Sequence, residues 1–308
     1  MFKRIQLSEY FSARIDALER AGRFSTSRNY RCTWNSFRLF LGNKPLRMDQ
    51  LSPEIIADYN NYLSRSGLMR NSISFYNRVL RALYNRAVRE GYARQMNPFA
   101  EAYTGVDLTR KRALAVDTLR KIANLPLSDS ELAFSRDMFL FSFQARGMSY
   151  VDMAYLTRKN LKDDEITYTR RKTGQRLTVR VEPWMEEILG RWAKDSYKPY
   201  LLPIIKTDDP KVAHEQYMAS LCAHNRNLRK IGDLLGLDFP LSSYSARHSW
   251  ATVARDAHIP ISVISSAMGH SSERTTRIYL TQLDTSVIDQ ANQQVWNQIQ
   301  AYCPGATN

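Results

Sequence analysis

Tyr244-Ser-Ala-Arg-His-Ser-Trp-Ala-Thr252, near the carboxy terminus, begins the most informative stretch of this chain. After a short apolar run the stretch continues with Met268-Gly-His270 and then reaches Tyr279. An arginine, a histidine and a tyrosine thus follow one another at offsets of 23 and 9 residues. A tyrosine hydroxyl has a pKa near ~10 and is a weak nucleophile at neutral pH. Beside arginines that stabilise charge on phosphoryl oxygens, such a hydroxyl can attack phosphorus.

The order and spacing of these residues resemble the carboxy-terminal signature of the tyrosine recombinases, or phage-integrase family. That signature reads His-x-x-Arg-His-x-x-Ala-Thr, then Leu-Gly-His, then a nucleophilic tyrosine. The sequence matches it at Arg247-His248, Ala251-Thr252, Met268-Gly-His270 and Tyr279. Tyr244 stands where the family usually has histidine, so this position departs from the pattern.

Arg146 ends an apolar, helix-like run and precedes a glycine. An arginine at the edge of a core pairs with an acid, caps a helix end or binds an anion, and the residues alone leave these readings open. In the family, the first catalytic arginine occupies such a place about 100 residues before the second. Arg146 lies 101 residues before Arg247, so the resemblance implies a catalytic role. The usual acid three positions later is Ser149 here, and we expect Asp152 to replace it.

Residues 165–171 and 176–181 alternate apolar and polar side chains, and the pattern predicts a β-hairpin whose turn uses Gly174. This prediction places Lys172 on the projecting turn. An exposed turn lysine is the ordinary interpretation. The family, however, carries a catalytic lysine on this hairpin, often followed by Thr-Gly as here. The resemblance therefore implies that Lys172 is catalytic, and Arg170, Arg171 and Arg176 are candidates for phosphate contact.

The composition indicates a polyanionic partner, because 44 lysines and arginines exceed 30 acids and give a net charge of +14. The three scattered cysteines favour a reducing cytoplasm, and we expect a cytoplasmic, nucleoid-associated protein. A zinc-protease-like start at His214-Glu215 lacks its second histidine, because position 218 is Met. No Walker loop or GxGxxG motif occurs. We therefore expect no metal, no cofactor, no membrane-spanning segment and no secretion signal.

The amino-terminal third reads as helices, among them one that we predict over 71–90. Polar residues recur at helical spacing on two of these helices, where arginine and asparagine can reach phosphates and base edges. For any single residue a solvated surface is the plainer interpretation. The resemblance implies a helical core-binding domain that grips the duplex. The candidate DNA contacts are Arg28, Arg31, Arg38, Arg70, Asn71, Ser74, Asn77 and Arg81.

These patterns predict a mainly α fold with a small antiparallel β-sheet. We expect a helical DNA-binding domain over 1–105, a basic linker over 106–112 and an α+β catalytic domain over 113–308. An amphipathic helix is predicted over 285–299. It can pack on its own domain, whereas the resemblance implies docking on a neighbouring protomer in a tetramer on DNA.

The resemblance implies a site-specific DNA recombinase that integrates, excises or inverts DNA through a 3′-phosphotyrosyl intermediate. Tyr279 would be the nucleophile, Arg146 and Arg247 would hold the phosphate, Lys172 would be the general acid, and His270 would bind or orient the phosphate. Tyr244 is expected to bind a phosphate oxygen or to position Tyr279. Two alternatives remain at this point: a non-catalytic DNA-binding protein with the same fold, motivated by Tyr244 and Ser149, and a type IB topoisomerase.

Overall fold

The computed structural model describes residues 3–107 and 113–280, together with 292, 293, 296 and 297. The chain divides into two compact units, Met1–Thr109 and Arg110–Asn308. Helices dominate both units, and a single small antiparallel sheet lies in the second among the described residues. The predicted fold class is therefore confirmed. Within this described part, no helix combines the length and the apolarity that crossing a membrane requires.

The first unit is helical, and Phe37, Tyr59 and Leu80 are fully buried at its centre. Ser52 caps the third helix through its side chain, which accepts the Ile55 N–H, and a proline occupies the first helical turn. The helix predicted over 71–90 is present with both ends one residue earlier. The helices of this unit are α1 (Leu7–Arg20), α2 (Phe24–Phe40), α3 (Pro53–Arg65) and α4 (Arg70–Arg89).

The second unit is built around α6 (Ser130–Gln144), which buries apolar residues on most sides and packs against α9 (Pro210–Leu234) and α10 (Ser243–Asp256). Met138, Phe139 and Phe141 of α6 are completely buried. Such a helix, apolar all round, belongs in the middle of a core. The helices of this unit are α5 (Val116–Ala123), α6 (Ser130–Gln144), α7 (Tyr150–Ala154), α8 (Pro183–Trp192), α9 (Pro210–Leu234), α10 (Ser243–Asp256), α11 (Ile261–Ala267) and α12 (Glu273–Arg277).

The sheet has the order β1-β2-β3, with β1 at Leu161–Lys162, β2 at Glu165–Thr169 and β3 at Arg176–Arg180. Both pairs are antiparallel, so the predicted hairpin is present. Its first strand ends two residues earlier than expected, because the turn already closes at Arg170, whose N–H donates to the Gln175 carbonyl. The two-residue β1 was not predicted, since it is too short to show an alternating pattern.

Two predicted segments fall largely outside the described residues. Positions 108–112 of the predicted linker are not described, whereas Asp107 hydrogen-bonds with Asn71 of α4. The predicted helix over 285–299 is described at only four positions, so its extent and its docking stay predictions.

Candidate active site

Arg247 lies in the first half of α10 and is 3% exposed. Its Nη1 donates to the Gly147 carbonyl at 2.7 Å, and its Nη2 donates to the Met268 carbonyl at 2.6 Å. Gly147 has a φ of 72°, and a Cβ on it would lie 2.8 Å from the Cα of Arg247. A glycine at position 147 is therefore needed for this close approach. These contacts fix the arginine between the end of α6 and the turn after α11.

The positive charge of Arg247 has no acidic partner among the described residues. Its Nε is buried and makes no hydrogen bond. Burial, followed by the nearby Arg170, lowers the pKa of Arg247 from its usual value. A guanidinium nevertheless stays charged in proteins, so the site holds a buried cation without a counter-charge. Such a charge is costly unless an anion compensates it.

Arg146 lies beside this cation, one residue before the glycine that accepts the Arg247 hydrogen bond. It is half-buried, and its Nη1 donates to the Thr178 carbonyl of β3 at 3.3 Å. Its φ of 58° is left-handed, a conformation that costs energy for a residue with a side chain. The two arginines that were predicted to share one phosphate are therefore linked through Gly147, the residue after Arg146, whose carbonyl accepts from Arg247.

Lys172 is exposed in the hairpin turn and has no acidic partner among the described residues. The residue before it, Arg171, is held twice. Its backbone N–H donates to the Oδ1 of the buried Asp152 at 2.9 Å, and its guanidinium lies 3.7 Å from the centre of the Tyr155 ring. Ser149 donates to the other Asp152 oxygen at 2.6 Å. Asp152 thus links Ser149 to the backbone of the hairpin turn, and its replacement of the family's usual acid stays a prediction.

His270 follows the turn after α11, and both of its ring nitrogens are engaged. Its Nε2 lies 2.9 Å from Nη2 of Arg247, and its Nδ1 lies 2.9 Å from the Thr276 hydroxyl. An arginine can only donate, so Nε2 accepts and Nδ1 carries the proton. Burial, then Arg247, Arg170 and Lys172, lower the pKa of His270 to about 4. The imidazole is therefore neutral at pH 7 and orients Arg247.

Tyr279 is 8% exposed and lies two residues after α12. Its hydroxyl is 2.7 Å from that of Tyr244, and its ring is stacked on His270 with 5.0 Å between centroids. The Nδ1 of His248 lies 3.1 Å from the Tyr279 carbonyl. Tyr244 is 46% exposed, and burial, followed by the hydrogen bond with Tyr279, raises its pKa to about 12. Tyr244 is therefore a neutral hydrogen-bonding partner of the other phenol.

Arg170 was predicted only as an additional phosphate contact, and His248 only as a member of the motif. Arg170 is 6% exposed, and its Nη1 donates to the Gly269 carbonyl at 2.5 Å. The alternating pattern of β2 predicts the burial of Arg170, because Ile166 and Tyr168 face the core and position 170 lies on the same face. His248 belongs to the motif, yet its contact with the Tyr279 backbone has no sequence signal.

The three arginines predicted as DNA contacts on α2 are exposed. Arg28 and Arg38 belong to the same helical stripe as Arg31. Arg31 also pairs with Glu19 at 2.5 Å, with its side chain 56% exposed. Exposed pairs of this kind contribute little, so the ion pair leaves Arg31 available to a phosphate.

The stripe on α4 is covered instead by residues 103–107 of the same unit. Ser74 and Asn77 are fully buried, so the prediction that they contact DNA is wrong. The Ser74 hydroxyl donates to the Gly105 carbonyl at 2.6 Å, and the Asn77 amide donates to the Tyr103 carbonyl at 3.1 Å. Their polar groups satisfy the backbone of the covering segment.

The other polar side chains of this stripe also have partners in the covering segment. Asn71 exchanges two hydrogen bonds with the Asp107 backbone. Arg81 donates to the Thr104 hydroxyl at 3.0 Å, and the Arg70 guanidinium lies 3.8 Å from the centre of the Tyr103 ring. Arg70, Asn71 and Arg81 are therefore engaged within the unit, and a DNA contact would have to share or displace these partners.

Comparison with known proteins agrees with the geometry of both units. A model of the phage integrase SAM-like domain matches residues 6–104, and the model of the phage integrase family matches residues 116–286, more than half of the chain. The chain belongs to the phage integrase family. The prediction of a tyrosine recombinase is therefore confirmed, and this recombinase is a site-specific DNA strand transferase.

Similar proteins extend along almost the whole chain. Tyrosine recombinase XerD of Chlorobaculum tepidum is 24% identical over 285 residues, which are 89% of this chain and 91% of that protein. A lambda integrase dimer bound to a COC′ core site has a TM-score of 0.62 at 15% identity, covering 89% of this chain and 95% of that one. The Tn1549 transposon integrase with circular intermediate DNA has a TM-score of 0.64 at 14% identity, covering 93% and 98%.

Proposed function

We propose that this recombinase cleaves DNA with Tyr279 and holds the scissile phosphate between Arg146 and Arg247. The observation that carries this proposal is a buried guanidinium with an unpartnered Nε and no described acid beside it. A phenol hydroxyl lies next to this cation, with the Arg247 guanidinium carbon 5.3 Å from the Tyr279 ring centre. A phosphodiester supplies the missing negative charge, and the planar fork of arginine suits its non-bridging oxygens.

In the proposed reaction the Tyr279 oxygen forms a bond to phosphorus, and the bond from phosphorus to the 5′-oxygen breaks. Lys172 gives its proton to that oxygen as a general acid. The Tyr279 proton passes to solvent, and the half-exposed Tyr244 hydroxyl positions the attacking phenol. The product is a 3′-phosphotyrosyl link with a free 5′-hydroxyl. Attack by another 5′-hydroxyl reverses the step, so no external energy source is needed.

His270 has a supporting role in this proposal. Its Nε2 accepts a hydrogen bond from Arg247, so the neutral ring has no donor left for a phosphate oxygen. We therefore assign His270 to orientation of Arg247 and to stacking on the nucleophile, instead of to direct phosphate binding.

We also propose that the first unit uses the exposed arginines of α2 to contact duplex DNA, and that protomers assemble as a tetramer on paired sites. The net charge of +14 supports the first part. A lambda integrase tetramer on a Holliday junction, with a TM-score of 0.63 at 16% identity, supports the second. The carboxy-terminal helix remains our candidate for linking protomers. With DNA as substrate, the cytoplasm and its nucleoid are the proposed place of action.

The experiment is incubation of the full chain with a nicked suicide substrate carrying its target site, followed by a denaturing gel. Wild type should form a covalent adduct, and Tyr279→Phe should form none while still binding the DNA. No adduct with wild type would support a protein that only binds DNA. Relaxation of a plasmid without the target site would favour topoisomerase activity. An adduct that persists in Tyr279→Phe would contradict the assignment of the nucleophile.

A further inference from the structure

Arg170 lies at the junction of β2 and the turn that carries Lys172, and its backbone closes that turn. Its N–H donates to the Gln175 carbonyl and its carbonyl accepts from the Gly174 N–H, both at 2.8 Å. The turn residues 171–174 are themselves exposed. The orientation of Lys172 therefore depends on how firmly this base is held.

The side chain of Arg170 fastens the base of the turn to a different segment. Its Nη1 donates to the Gly269 carbonyl at 2.5 Å, one residue before His270. Its aliphatic part packs so closely on Gly269 that a Cβ there would lie 2.9 Å from the Arg170 Cδ. Gly269 has a φ of 64°. The contact thus combines a charged hydrogen bond with a fit that only glycine permits.

The contact differs from an ordinary structural ion pair. Asp137, by comparison, accepts hydrogen bonds from Arg136 at 3.0 Å and from Arg191 at 2.5 Å, so its buried carboxylate balances their charge. Arg170 is 6% exposed, more buried than Arg136 or Arg191, and has no carboxylate partner among the described residues. A charge of this kind is retained at a cost, which points to a role in the reaction.

We propose that Arg170 is a positioning residue that sets Lys172 relative to the scissile phosphate by fastening the hairpin turn to Gly269. The inference rests on the proposed role of Lys172 as the general acid. A general acid works only within hydrogen-bond reach of the leaving oxygen, and a displacement of about 1 Å can cost about 100-fold in rate. Release of the hairpin would therefore remove proton delivery and leave phosphate binding by Arg146 and Arg247 in place.

A sulfur leaving group separates this role from phosphate binding. A DNA substrate with sulfur in place of the bridging 5′-oxygen releases a thiolate, and thiols have a pKa near ~8.5, so protonation is hardly needed. The proposal predicts that Arg170→Gln slows adduct formation about 30-fold to 100-fold on the oxygen substrate. On the sulfur substrate the variant should come within about threefold of wild type, as should Lys172→Ala. Arg170→Lys, which keeps the charge and most of the chain, should be intermediate on oxygen.

Arg180→Gln is the matched control, because it removes one positive charge from an exposed position of the same sheet and should behave as wild type on both substrates. Equal defects of Arg170→Gln on both substrates would overturn the proposal, since they indicate phosphate binding or folding. If Arg170→Gln does not fold, the rates of Arg170→Lys on the oxygen and sulfur substrates are compared with those of wild type instead. Wild type that forms no adduct on either substrate would instead refute the proposed function. Loss by Lys172→Ala on both would refute the role of Lys172 and the inference together.

Discussion

Two sets of buried polar side chains at helical or strand spacing differ in the partners that the fold gives them. Along α4, the buried Ser74 and Asn77 give their hydrogen bonds to the segment at 103–105 of the same unit. In the second unit, Arg247 and Arg170 are also buried, but they donate to carbonyls and, from Arg247, to the His270 ring, with no described acid beside them. The first set is neutral and therefore needs no anion, although the buried Oδ1 of Asn77 makes no hydrogen bond. We propose that an anion completes the second set, as is expected of a binding site and not of a structural network.

The strongest test of this difference is removal of the unbalanced charge. We predict that Arg247→Gln lowers the rate of adduct formation about 1,000-fold, because a donor to the developing phosphoryl charge is lost. The melting temperature should change little, since relief of an unpaired buried charge offsets the lost carbonyl contacts. Single-turnover gels and thermal unfolding measure the two effects.

Lys159→Gln offers a control for the loss of one charge, because Lys159 is exposed in the same unit. It should leave adduct formation unchanged. A variant Arg247→Gln that cleaves normally, or one that unfolds below room temperature, would show that Arg247 is a structural residue like those of α4.

The converse test uses the first unit. Asn77→Ala should lower the free energy of unfolding by about 1–3 kcal/mol, because the buried Tyr103 carbonyl loses its donor. DNA affinity of the folded protein should not change.

Arg38→Gln on the exposed face of α2 should weaken DNA binding and leave stability unaltered. The slope of log affinity against log salt should fall by about 0.9.

Urea unfolding and DNA binding at several salt concentrations distinguish these outcomes. If Asn77→Ala weakened DNA binding uniformly without loss of stability, the α4 stripe would be a DNA surface after all. If Arg38→Gln had no effect on the salt slope, α2 would have to be abandoned as the contact helix.

The sequence could predict most of the second unit because its signals are local. The hairpin alternates over adjacent residues, and the spacing from Arg247 to Tyr279 is short enough to be recognised as one motif. The fate of the α4 stripe could not be predicted in this way. Helical periodicity shows which side chains share a face, but the segment that covers that face contacts it across 23 to 36 residues of the chain. Nothing in the local pattern distinguishes a covered polar face from one that is open to DNA.

Arg170 has one property that the local pattern predicts and one that it does not. The strand alternation that buries Ile166 and Tyr168 also directs residue 170 inward, so its burial was predictable from period two. Its partner, the Gly269 carbonyl, was not, because the two residues are 99 positions apart. Burial of a charge can thus be read from a pattern, whereas its balance depends on contacts that only the fold brings together.

The smallest predicted effect concerns Tyr279, whose hydroxyl has an internal partner and is nevertheless the proposed nucleophile. Its partner Tyr244 is half exposed, unlike the buried Tyr84, whose hydroxyl donates to the Arg94 carbonyl at 2.6 Å. We expect Tyr244→Phe to slow adduct formation about threefold to tenfold, because one hydrogen bond contributes about 0.5–1.5 kcal/mol to placing the phenol. Tyr84→Phe, the matched control, should lower stability without changing the rate of the folded protein.

Histidine at position 244 sharpens the same test, because a neutral imidazole can accept the phenol proton. Tyr244→His should keep or raise the rate, and the rate should increase with pH through about 6.5, since only the deprotonated ring is a base. Wild type should show no such step, because burial and the Tyr279 hydrogen bond hold the pKa of Tyr244 near 12. Near-total loss of cleavage in Tyr244→His would contradict this prediction and would mean that the site requires the Tyr244 phenol.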